Sequence, residues 1–168
     1  MTSHETLSLL LQPALIRLID QLRLQLKAAE WTWSYDTVEV WPDQVPETTR
    51  SRYEEMMRAL DVASGDDAEA IQDVLDELPQ PIPLYRLEIT DQSSVPTINM
   101  WQLCYQICLK DYTPQLQDMS LMAPDLNQND IDSRLTDQDG EIDWDCLNQN
   151  AQLVVEKLIA SIVAGEVQ

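Results

Sequence analysis

The chain has 168 residues, of which 30 are acidic and 10 basic, giving a formal charge of −20 and a pI near 4.1; 44% of residues are hydrophobic, with five Trp and no Phe. That length suits one domain able to bury about two-thirds of its unfolded surface, and the apolar content excludes wholesale disorder. The charge argues against nucleic acid and membranes as partners. Phosphate binding needs clustered cations, whereas Arg17, Arg23, Lys27, Arg50, Arg52, Arg58, Arg86, Lys110, Arg134 and Lys157 are scattered singly along the chain.

A protein partner with a basic surface is the electrostatic expectation. No run reaches the ~20 apolar residues that span a bilayer. His4 and Glu5 precede the first leucines where an export signal would carry a basic region. Three cysteines, an odd number, fit reduced thiols and a cytoplasmic location.

Residues 7–29 predict an amphipathic helix, because Leu11, Leu15, Leu18, Leu22, Leu26 and Ala29 recur at spacings of three and four, with Ile16 and Ile19 widening the apolar face. Pro13 removes an amide donor, so the regular helix is expected to start there, with residues 7–11 forming a turn or kinked extension. Residues 31–41 are aromatic and β-branched. Trp31, Trp33 and Tyr35 alternate on one side and Val38 and Val40 on the other, which predicts a strand with a break or bulge near Asp36.

Two helices follow a loop enclosed by Pro42 and Pro46. The first spans 47–62, with Tyr53, Met56, Met57 and Leu60 on one face; Gly65 ends it. The second is expected to be capped by Asp66 or Asp67 and to present Ile71, Val74, Leu75 and Leu78 until Pro79 stops it. Together they form a candidate hairpin. Residues 84–89 alternate as a half-buried strand facing Tyr85, Leu87 and Ile89 inward, expected to pair with 33–41, and residues 91–94 read as a turn.

The most apolar run, 98–109, fits strand and helix periods at once. Gln102, Gln106 and Lys110 fall on one stripe at intervals of four, which favours a helix capped by Thr97. Residues 112–143 lose periodicity and predict a long acidic loop or partly mobile segment. From Trp144 a helical period resumes to 164, with Asp143 or Asp145 as cap and Gly165 as terminator. The expected fold is a single helix-rich α+β domain: four or five helices packed on a small sheet of two or three strands.

Candidate chemistry is sparse. Asp137, Asp139, Glu141 and Asp143 around Gly140 resemble the middle of an EF-hand loop, yet registering Gly140 on the loop glycine puts Leu135 and Cys146 at positions that need hard oxygen. Cys104 and Cys108, four apart in an apolar run, read as core thiols. His4 is the one histidine and lies at the terminus, and the three glycines form no phosphate-cradling loop. No catalytic residue, metal or cofactor is therefore expected.

Trp31, Trp33, Tyr35 and Trp41, clustered within eleven positions, are the candidate partner surface. The expected function is that of a non-enzymatic acidic protein-binding module, an adaptor or assembly factor. The alternatives are an acidic inhibitor that mimics nucleic acid and a carboxylate- or metal-dependent enzyme.

Overall fold

The computed structural model describes residues 3–42, 45–90, 96–119, 126 and 130–165; the turn expected at 91–94 and residues 120–125 and 127–129 of the expected loop lie outside the described residues. Among the described residues there are five α-helices and a three-stranded antiparallel sheet of order β1-β2-β3. The helix-rich α+β expectation is met. The chain gathers into two compact units, Met1–Thr37 with Leu84–Gln168, and Val38–Pro83.

Helix α1 runs without interruption over Ser3–Ala28, with Pro13 inside it. This corrects the expected start at Pro13. An interior proline costs roughly 3 kcal/mol, but the turns ahead of it bury Leu7 and Leu10, each worth about 1.5–3 kcal/mol. The two leucines together match or exceed the proline's cost. The buried stripe is Leu7, Leu10, Ala14, Leu15, Leu18, Leu22 and Leu26, which leaves Ile16 and Ile19 exposed where the sequence pattern had widened the apolar face.

Strand β1 spans Trp33–Val40 and β2 spans Ile82–Ile89. β1 runs without a break through Asp36, with Trp33 partly buried at one end and Val38 and Val40 at the other. Leu84, Leu87 and Ile89 of β2 are buried. Tyr85, expected on the inward face, is half-buried and rests edge-on against Trp101, ring centroids 5.7 Å apart.

The apolar run resolves into both structures its periodicity allowed. Ile98–Asn99 form β3, in register with β2 through Leu87↔Ile98 and Arg86↔Asn99, and α4 follows directly over Met100–Cys108. Because pairing keeps the chain extended through Asn99, the cap falls to Asn99 and not to Thr97. The Asn99 side-chain oxygen accepts from the Trp101 amide at 3.0 Å, and its Nδ2 donates to the Asp118 carbonyl at 2.7 Å. Gln102 is also buried instead of lying on a wet stripe. Its Oε1 accepts from the Tyr112 hydroxyl (2.6 Å) and the Gln115 amide (2.9 Å).

Helix α5, Trp144–Val163, is capped by Asp143, which accepts from the Cys146 amide at 3.1 Å; Gly165 adopts φ +73° just beyond the end. Helices α1, α4 and α5 pack on one another, burying Leu103, Ile107, Leu147, Val155 and Leu158. A polar seam joins α1 to α5: Gln21 Nε2 donates to Asn148 Oδ1 (3.2 Å) and Gln25 Nε2 to the Gln152 carbonyl (3.1 Å). The described part of the expected acidic loop is tied to this core. Bridges Leu109↔Ile131 and Thr136↔Ile142 flank a short 3-10 helix, Ser133–Leu135, whose Leu135 is fully buried.

The second unit holds the expected hairpin, α2 over Glu47–Val62 and α3 over Asp66–Glu77. Gly65, at φ +62°, takes the cap position of α3, and Asp66 and Asp67 lie in its first turn, where they meet the positive end of the helix dipole without capping it. No helix among the described residues is long and apolar enough to cross a membrane.

Candidate functional site

The residues singled out by sequence fall in separate places. Trp31 and Trp33 lie half-buried against the first unit's core, and Tyr35 beside them is exposed, its hydroxyl pushed up in pKa by partial desolvation. Trp41 belongs to the second unit, where its ring stands edge-on to Tyr53 at 5.2 Å with the Arg50 guanidinium 6.0 Å from its centroid. The tryptophan segment is thus shared between two bodies.

In the acidic turn, Asp137 Oδ1 accepts from the backbone amides of Asp139 and Glu141, both at 2.9 Å, and Asp143 is occupied as the α5 cap. These carboxylates shape a turn and a helix start. Among the described residues no three His, Cys, Asp or Glu side chains group closely enough to hold a metal ion. Cys104 and Cys108 are buried on α4; desolvation holds the Cys104 thiol well above its ordinary pKa and pushes Cys108 up to about 12, so neither forms a thiolate nucleophile near neutrality. His4 is exposed on the first turns of α1.

Two surfaces stand out once the chain is folded. The first is the hairpin. Helix α2 has no buried residue, and α3 buries only Leu75. Met57, Val62 and Ile82 are exposed, Val62 at 87%. Across Val38–Pro83 twelve acidic residues face three basic ones, a net −9, and α3 carries six acids and no base.

The second is a cleft of about 420 Å³ in the first unit, where the end of α4, the 3-10 helix and α5 converge. Lys110, Arg134 and Lys157 line it together with Asp111, Asp132 and Tyr112, over Leu109, Leu153 and Val154. Asp132 is its fixed point. Its carboxylate, only 5% exposed, accepts from Arg134 Nε (3.0 Å), Arg134 Nη2 (2.8 Å) and Asn150 Nδ2 (3.0 Å). The Arg134 pair, with Asn150 adding to it, holds the Asp132 carboxyl well below the usual carboxylate range. Asn150 also donates to the Ile107 carbonyl at 3.1 Å, so the Asn150 amide of α5 joins α4 to Asp132 at the start of the 3-10 helix. Sequence reading missed this cleft: its three cations are more than twenty positions apart, and only the fold brings them together.

Comparison with protein-family models, with curated proteins and with solved structures finds no match.

Proposed function

We propose that the protein is a non-enzymatic adaptor or assembly factor of the cytoplasm, which takes a basic protein partner on the α2–α3 hairpin. The observation behind this reading is the hairpin's incomplete burial. The two helices bury a single leucine between them, which leaves most of their apolar side chains available to a partner. Exposed apolar side chains, Met57 and Val62 on α2 among them, share this unit with twelve carboxylates.

A partner with lysines or arginines flanking apolar side chains complements both properties. Trp41, Tyr53 and Arg50, the residue types that most often dominate binding energy, stand together on the same unit. The acidic surface also steers a basic partner toward the hairpin, an effect that fades as salt shortens the Debye length from ~30 Å at 0.01 M to ~3 Å at 1 M.

The test is affinity capture from an extract of the cells that make the protein, run in parallel with wild type and a Met57→Glu/Val62→Glu variant. Both positions are exposed, so the variant is expected to fold. The expected result is a basic protein retained by the wild type at low salt, released at high salt and absent from the variant. Identical sets of captured proteins from the two would overturn the assignment to this face.

A further inference from the structure

The geometry points to a second binding site, independent of the hairpin: the cleft of Lys110, Arg134 and Lys157 takes a small amphiphilic anion, a carboxylate or phosphate head carrying an apolar tail. The first ground is charge. Three of the ten cations of a chain with net charge −20 converge on one cleft from three elements. Lys110 and Lys157 are exposed and form no ion pair among the described residues, in a protein with abundant carboxylates.

Arg134 differs from the two lysines. One side of its guanidinium is fixed on Asp132, yet the side chain remains 70% exposed, so its remaining N–H groups are held in place and offered to the cleft. Of the two acids lining the cleft, Asp132 is neutralised by that pair, which leaves Asp111 against Lys110 and Lys157. Acids on distant elements weigh little, because charges farther than the Debye length of ~8 Å are screened at physiological salt.

The second ground is the backbone. Asp111 adopts φ +56°, a left-handed conformation uncommon outside glycine, in the turn that ends α4. That turn places both Lys110 and Tyr112 on the cleft.

The third ground gives the tail. Lys157 and Gln106 line a second depression as well, of about 530 Å³, whose other walls include Leu103, Pro114, Leu116 and Leu158. A cationic cleft and a more apolar depression therefore lie side by side with Gln106 and Lys157 as their common wall, and Leu153, a leucine 53% exposed, lies on the cationic side. Volumes of this size match those of ordinary small-ligand sites, ~300–1,000 Å³. A head group bonded by Lys110, Arg134 and Lys157 sets its tail against Leu116 and Leu158.

Octanoate and octyl phosphate serve as probes, with acetate (head alone) and octyl glucoside (tail with a neutral head) as comparators. Binding is followed by methyl NMR shifts of Leu153 and Leu158. Both anionic amphiphiles are expected to bind saturably at these methyls, with acetate and octyl glucoside each weaker by about tenfold or more. Lys110→Gln/Lys157→Gln should weaken octanoate by a similar factor. Arg23→Gln/Lys27→Gln, which changes the net charge equally but lies on α1, should leave it unchanged. An unliganded thermal midpoint within a few degrees of wild type confirms that each variant folds. Absence of saturable shifts, equal binding of octyl glucoside, or equal loss in the two double variants would overturn the site.

Discussion

Gln102 shows how much rests on single polar atoms in the interior. Its Oε1 is the shared acceptor for the Tyr112 hydroxyl and the Gln115 amide. Gln102→Leu strands both donors, so it should cost about 1–3 kcal/mol, the usual penalty for leaving a buried group unpaired. Tyr112→Phe removes one donor and leaves the acceptor bonded to Gln115, and should cost only about 1 kcal/mol. Equal losses in midpoint for the two variants would mean that the Tyr112 hydroxyl bond carries the whole cost and the Gln115 amide none, because phenylalanine keeps the ring against Tyr105. The thiols give a second residue-scale expectation. Because burial raises both α4 cysteines and leaves Cys146 partly exposed, a disulfide reagent added to native protein should modify Cys146 alone. Cys104 and Cys108 should react only on unfolding; prompt reaction of all three thiols would show that α4 opens readily.

At the scale of elements, the sequence was most legible where local preference and tertiary demand agree. The bounds of α2 coincide with the stretch from Glu47 to Val62 that its periodicity marks, and Asp143 caps α5 as expected. It was least legible where packing overrides a local signal. Pairing to β2 captures the first two residues of the apolar run, which no single period separates from the helix behind them. Pro13 is the sharper case, since burial of Leu7 and Leu10 carries the helix through a residue that locally opposes it. Pro13→Ala restores an amide donor facing the Leu9 carbonyl one turn earlier and should stabilise the protein by about 1–3 kcal/mol, raising the thermal midpoint by roughly 2–4 °C per kcal/mol. An unchanged or lowered midpoint would show that the proline relieves some strain in the first turns.

At the scale of the whole molecule, charge was legible from composition, but its arrangement was not. Lys110, Arg134 and Lys157 look solitary in the sequence because their neighbourhood exists only when α4, the 3-10 helix and α5 meet at Asp132. That carboxylate and the overall charge respond to pH in opposite directions. Lowering pH from 7 reduces the net negative charge, relieves self-repulsion in a chain of charge −20 and so stabilises the fold. Asp132 has a folded pKa below its unfolded value of ~3.9. Its contribution is therefore fully present above that unfolded value and is lost as pH falls through the lower, folded one. Asp132→Asn removes the contribution at every pH. Deleting one partner of a fully buried pair costs ~3–5 kcal/mol, but Arg134 is 70% exposed and rehydrates when its partner is lost, so about 1–3 kcal/mol is the better expectation. Thermal midpoints of wild type and Asp132→Asn should differ by a constant amount from about pH 7 to pH 5, and the difference should begin to narrow below about pH 4. A gap of unchanged size down to the lowest pH at which both proteins stay folded would show that Asp132 acts through its hydrogen-bonded shape and not through its charge.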